Sequence, residues 1–308
     1  MYHPGTHLCT TLIHTCVPAL LFTSAARCFF TFHANFTPTR SFPVVGYANR
    51  DLNRLEFNYC VANFLPMGKD KEEMTMGDLK FNANFKNSSL QILEDGGNTM
   101  MLDWAEYPLI EPDGGDLWAA FEYVAAKDAG EGGEGWYLSQ DGNRAYNMNE
   151  WLIPFGWQFV IDCTDRNSQI VGNGEVDRVN EEFDLERLVF NYLGNCTPVD
   201  ITLGDLILGA NFKNSSLQIL EDGGNTMMLD WEEFPLIEPD GGDLWAAFDY
   251  VAAKDAGEHG AGWYLSQDAD RAYNMNEWVV ASGDGFVIDC TDRNASIIVP
   301  SALPAEEE

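Results

Sequence analysis

Beyond residue 50, apolar and polar residues alternate with a period of two in short runs. In "NTMMLDW" (Asn98 to Trp104) the residues Met100, Leu102 and Trp104 fall on one face, with Thr99, Met101 and Asp103 on the other. In "FVIDCTD" the apolar set Phe159, Ile161 and Cys163 alternates with Val160, Asp162 and Thr164. Both patterns predict half-buried strands. The "EDGGN" between "SLQIL" and "TMMLDW" predicts a hairpin, because consecutive glycines supply the positive φ that tight connections need. The turns "PDGGD" and "DAGEGGEG" cut the remainder into further short strands. One stretch, "DLWAAFEYVAAKDAG", suits a helix by its Ala, Leu and Lys content and closing glycine. Its aromatic residues suit a strand equally well. The predicted class is all-β, as antiparallel sandwiches or partly closed barrels.

The pattern occurs twice. "NFKNSSLQILEDGGNTMMLDW" stands at Asn84 to Trp104 and again, unchanged, at Asn211 to Trp231. At an offset of 127 residues, about 70 of 86 positions from Ala83 to Ser168 match. Upstream, "DLNRLEFNY" (Asp51 to Tyr59) pairs with "DLERLVFNY" (Asp184 to Tyr192) after a short length difference. The expected organisation is an atypical segment over 1–45, one β-module over 46–172, a polar glycine-bearing linker over 173–183, a second module over 184–300, and an acidic tail over 301–308. Each module is expected to fold by itself. Near-identity of the copies says nothing about functional constraint, since a recent duplication would look the same.

The second copy opens with "FNYLGNCTP" and closes with "GDGFVIDCTDRNASIIVP". These ends resemble the β-rich repeats of bacterial secreted and cell-surface proteins, which open on a GN-x-x-P turn and close on a G-x-G-F-x-V strand. The resemblance spans residues 184–300 and, through the duplication, 51–172. The first copy departs from it at both ends, with "ANFLP" and "GWQF". The resemblance implies an extracellular, non-catalytic module and transfers no catalytic residues.

Charge narrows the partners. The formal net charge is -32, and residues 1–50 contain Arg27, Arg40 and Arg50 but no acid and no lysine, so all 49 acids lie beyond them. Such a surface repels nucleic acid phosphates and anionic membranes. With 45% hydrophobic residues the acidic part has ample matter for a core, so it is not a disordered tail. No later run of about 20 apolar residues predicts a membrane span. Residues 1–45 carry four of the five histidines around "TLIHTCVPALLFTSAA". That run reads either as a degenerate export signal without a basic leader or as an extension outside the natural fold.

Candidate chemistry follows from what is left. The modules contain one histidine, His259, whose counterpart in the other copy is Gly132, so Ser/His and Cys/His nucleophile pairs are not expected. A glycoside hydrolase-like pair of carboxylates is the enzymatic alternative. Cys60 with Cys163, and Cys196 with Cys290, are expected as one disulfide per copy in an exported protein, or otherwise as buried thiols. Asp141 and Asn143, with Asp268 and Asp270, offer hard oxygens to calcium, although the twelfth residue counted from Asp141 is Leu152, which is not the EF-hand pattern. Trp104, Trp118, Trp136 and Trp151 recur at Trp231, Trp245, Trp263 and Trp278. Among these, Trp118, Trp136 and Tyr137, with Trp245, Trp263 and Tyr264, lie beside glycine-rich loops. They are the expected ligand-binding positions, for a carbohydrate or another cell-surface component.

Overall fold

The computed structural model describes residues 45–110, 115–128, 130–176, 180–237 and 242–301. The atypical segment over 1–44 and most of the acidic tail lie outside these residues. The chain is all-β, and among the described residues helical structure is confined to three-residue 3-10 turns. The first copy supplies β1 (Val45–Leu52), β2 (Phe57–Cys60), β3 (Ser88–Ile92), β4 (Met101–Leu102), β5 (Leu117–Trp118), β6 (Ala120–Val124), β7 (Gly135–Leu138), β8 (Phe159–Cys163) and β9 (Ser168–Glu175). The second supplies β10 (Glu181–Leu185), β11 (Phe190–Gly194), β12 (Ile201–Thr202), β13 (Ile207–Leu208), β14 (Ser215–Gln218), β15 (Met228–Leu229) and β16 (Leu244–Trp245). It continues through β17 (Ala247–Val251), β18 (Gly262–Leu265), β19 (Val279–Val280), β20 (Gly285–Cys290) and β21 (Ala295–Val299).

Two antiparallel five-stranded sheets carry the architecture, in the orders β2-β8-β3-β6-β7 and β11-β20-β14-β17-β18. Their registers correspond: Leu90 pairs Ile161 and Phe121, as Leu217 pairs Ile288 and Phe248. Smaller sheets flank them, β1 with β9 and β10-β21-β13, and neither main sheet closes into a barrel. The "DLWAAFEYV" stretch resolves as strand. Phe121, on β6, is fully buried between Leu90 and Leu138, a placement that only the pleated alternation provides. The described residues of the stretch predicted as a linker are mostly strand as well. β9 runs to Glu175 and β10 starts at Glu181, and a Cβ at Gly174 would overlap the Leu65 carbonyl, so that glycine is where two backbones approach.

The predicted hairpin forms around a 3-10 turn, Asp95–Gly97, with Gly96 and Gly97 at φ 79° and 78°. Met100 N–H then donates to the Ile92 carbonyl at 2.8 Å. Its tip packs on the other copy. Asp95 Oδ1 accepts from Phe190 N–H at 2.8 Å, and Asp222 Oδ1 of the second turn accepts from Phe57 N–H at 2.9 Å. The Tyr192 hydroxyl lies against Gly97 and the Tyr59 hydroxyl against Gly224. Each turn thus grips the first sheet strand of the opposite copy, which is a reciprocal, two-fold-like arrangement. Between the two grips, Val61 N–H donates to the Gly283 carbonyl at 3.0 Å and Gln158 N–H to the Tyr192 carbonyl at 3.2 Å.

Packing follows from that seam. Val160 is as buried as its neighbours Phe159 and Ile161 because its cross-strand partner Tyr59 is covered by the opposite turn, so the strand is not half-exposed as its alternation predicts. One apolar cluster runs through both copies, from Phe159 and Leu193 to Phe286. Unfolding of the full chain is expected as a single calorimetric transition. Gly97→Val and Gly224→Val, which force a β-branched residue into positive φ beneath a tyrosine, should each cost about 1–3 kcal/mol by denaturant titration. Two separate transitions, or neutral glycine variants, would show that the seam does not couple the copies.

Candidate functional site

The expected ligand-binding aromatics separate into two groups. Trp136 and Trp263 are 1% exposed and belong to the core. Trp136 meets Tyr123 edge-on at 5.3 Å and Phe85 at 5.8 Å, and Trp263 meets Tyr250 at 5.4 Å and Phe212 at 5.7 Å. Tyr137 and Tyr264 are buried too. Tyr137 donates its hydroxyl proton to the Gly132 and Gly133 carbonyls (2.6 and 2.8 Å), and Tyr264 does so to His259 and Gly260 (2.7 and 3.0 Å). The glycine-rich loops were expected to leave these rings uncovered. Instead they fold back over them, because a loop without side chains can bring its carbonyls to a phenol. These four residues are therefore structural, which corrects the expectation.

Trp118 and Trp245 behave differently. Each ends a two-residue ribbon and faces an exposed methionine across it, Met101 opposite Trp118 and Met228 opposite Trp245. Trp118 is 36% exposed, Met101 49% and Met228 50%, while Trp245 is half-buried. A glutamine clamps each tryptophan's backbone. Trp118 N–H donates to Gln140 Oε1 at 2.9 Å while Gln140 Nε2 donates to the Asp116 carbonyl, and Gln267 repeats both bonds on Trp245 and Asp243. The result is a Met–Trp pair on a fixed ribbon, once per copy. Alternation places Trp104 and Trp231 on the core face, yet both are exposed. Asp103 and Asp230 cap 3-10 turns there, accepting from Ala105 and Glu232 N–H, and so end the strand pattern one residue early.

The proposed calcium ligands are occupied otherwise. Asp141 and Asp268 are buried, and their Oδ2 atoms accept from Tyr146 and Tyr273 N–H at 2.9 and 2.8 Å, bracing the loop. Asn143 and Asp270 point outward beside them, and among the described residues no group of three acids, histidines or cysteines converges on a cation position. The expected disulfides are also absent: Cys60, Cys163, Cys196 and Cys290 are buried thiols. Register explains this. Cys60 sits opposite Phe159, so Cys163 lies four residues further along β8, and Gly194 sits opposite Gly285, so Cys290 lies five further along β20. At roughly 3.3 Å per residue both separations exceed the ~7 Å reach of a disulfide between Cα atoms. Burial holds the Cys163 thiol up at about 11, so little thiolate is available to react.

Two carboxylate pairs do form, one at each seam. Burial, and then the charge of Asp222, raises the Asp162 carboxyl above its ordinary value, and burial with Asp95 does the same to Asp289. Asp222 and Asp95 are the residues whose Oδ1 atoms hold the opposite strands, so these pairs belong to the docking of the copies. No protein family, curated protein or solved structure matches the chain.

Two outcomes test this assignment. Trp136→Ala should lower stability by about 3–5 kcal/mol, as for any large core side chain, whereas Trp118→Ala should change it by less than about 1 kcal/mol. Equal effects in a denaturant titration would overturn the division into core and surface. The seam acids carry a definite pH sign: a carboxyl raised in the folded state stabilises while protonated, and that contribution is lost as pH rises through the folded value. The double variant Asp162→Asn, Asp289→Asn is thus expected to melt higher than the parent at pH 7. The excess should shrink as pH falls toward the ordinary carboxylate value of about 4.

Proposed function

We propose that this chain is a non-catalytic binding protein of the cell surface or extracellular space, which uses the paired Met101–Trp118 and Met228–Trp245 ribbons to engage a neutral carbohydrate or another surface component. The observation that carries the reading is the repetition of a backbone-clamped tryptophan, exposed in the first copy and half-buried in the second, opposite an exposed methionine in both. A tryptophan held by its backbone loses little freedom when it stacks on a ligand, so less binding energy is lost to ordering. The charge of -32 disfavours anionic ligands, which narrows the class to neutral or cationic ones. Surface placement rests on the resemblance of the repeat's ends.

A non-catalytic role is supported by where the acids lie. In each seam pair one carboxylate, Asp222 or Asp95, is engaged with a backbone N–H of the opposite copy. Glycan-array screening of the full chain should find a neutral glycan bound saturably. Trp118→Ala and Trp245→Ala should each weaken that binding, and the double variant should weaken it by more than either, because two tethered sites reinforce each other. The proposal fails if no neutral glycan binds, or if the double variant binds as the parent does.

A further inference from the structure

The two copies are not equivalent at their seams. Six of the seven positions from 152 to 158 differ from their counterparts at 279–285, whereas residues 84–104 match throughout. Trp157 stands where the second copy has Asp284, Pro154 where it has Ala281, and Gln158 where it has Gly285. Just before β11, Val189 stands where the first copy has Glu56. At one seam Asp284 forms an ion pair with Arg50, and Arg50 Nη2 also donates to the Tyr59 carbonyl at 2.9 Å. The other seam, with these replacements, opens into a groove of about 620 Å³.

Ile92, Met100, Trp157 and Phe190 line this groove, and Trp157 and Phe190 are exposed in it, at 39% and 38%. Trp157 is steadied edge-on by Phe183 at 6.2 Å, and Phe190 by the bond from its N–H to Asp95. Four acids, Glu94, Asp95, Asp184 and Glu186, also line it, with no lysine or arginine among the described residues there. Gln158 also lines it. Its side-chain amide is buried, and neither the nitrogen nor the oxygen finds a hydrogen-bond partner, which is rare for a buried amide.

We infer that this groove binds a small organic cation, an ammonium group attached to an apolar or aromatic body. The volume lies within the range of pockets that enclose such ligands, mostly apolar with a few polar groups. An indole face attracts a cation through its quadrupole, and the attraction grows when the site is partly desolvated. The carboxylates supply the opposite charge that an anion or an uncharged body would not exploit. This inference is independent of the glycan reading, which uses the ribbons.

The test uses the full chain and three probes of similar shape, followed by ligand-observed NMR: phenyltrimethylammonium, its uncharged isostere tert-butylbenzene, and benzenesulfonate. Phenyltrimethylammonium should bind saturably and more tightly than the other two, with an affinity that falls as salt is added. Trp157→Ala should weaken it by about tenfold and Trp157→Phe by less. The Phe variant keeps a ring in place should the Ala variant fold poorly. The exposed pair Glu94→Gln, Glu186→Gln should weaken the cation and leave tert-butylbenzene unchanged, and Trp118→Ala should have no effect. Absence of saturable cation binding, equal binding of the uncharged isostere, or indifference to both Trp157 variants would overturn the inference.

Discussion

The reciprocal grip of the two glycine turns organises everything else in this molecule. Asp95 and Asp222 each hold a backbone N–H of the opposite copy, and Gly97 and Gly224 each leave room for the opposite tyrosine hydroxyl. A single β-sheet of this size would leave its outer face to water. Here that face is covered by a turn from the other copy, so Val160 and Val287 are buried as fully as the residues on the inner side. The duplicated acidic stretch therefore has a physical role in each copy that is completed only by the other, and it explains how main-sheet strands of four to six residues sustain one continuous core.

The same grip brings acids together. In a chain with 49 acids and 17 bases, closing the seams sets Asp162 near Asp222 and Asp289 near Asp95, and burial then raises the carboxyls that are flanked. The cost is tolerated because each gripping aspartate gains a charge-assisted bond to backbone, and such bonds are stronger than neutral ones. Perturbed carboxyls often mark catalytic sites. At these seams they accompany the docking of two acidic surfaces.

Aromatic residues show how burial depends on neighbours rather than on type. Trp136 and Trp118 both flank glycine-rich loops, but Trp136 lies on a main-sheet strand beneath Phe85 and Tyr123, while Trp118 ends a two-residue ribbon with only Met101 across from it. Divergence between the copies acts in the same way. Exchanging Asp284 for Trp157 and Glu56 for Val189 turns an ion-paired seam into an apolar groove without altering the sheet order on either side.

The sequence by itself determined the all-β class, the duplication and the hairpin at "EDGGN", because period-two alternation and paired glycines act over a few residues and need no distant partner. Tertiary structure decided the rest. Whether Cys60 can reach Cys163 depends on which residue β2 sets opposite Phe159, a register that spacing does not encode. Whether Trp136 or Trp118 meets solvent depends on rings and loops brought in from elsewhere in the fold. The two described sides of the linker read over 173–183 became strand because β1 was available to pair with β9 and β21 with β10, and no local signal announces a partner more than 100 residues away. Contacts between the copies are the extreme case: two identical stretches of sequence say only that a unit is repeated, and the way the units close on each other follows from packing and charge across a surface that neither stretch contains alone.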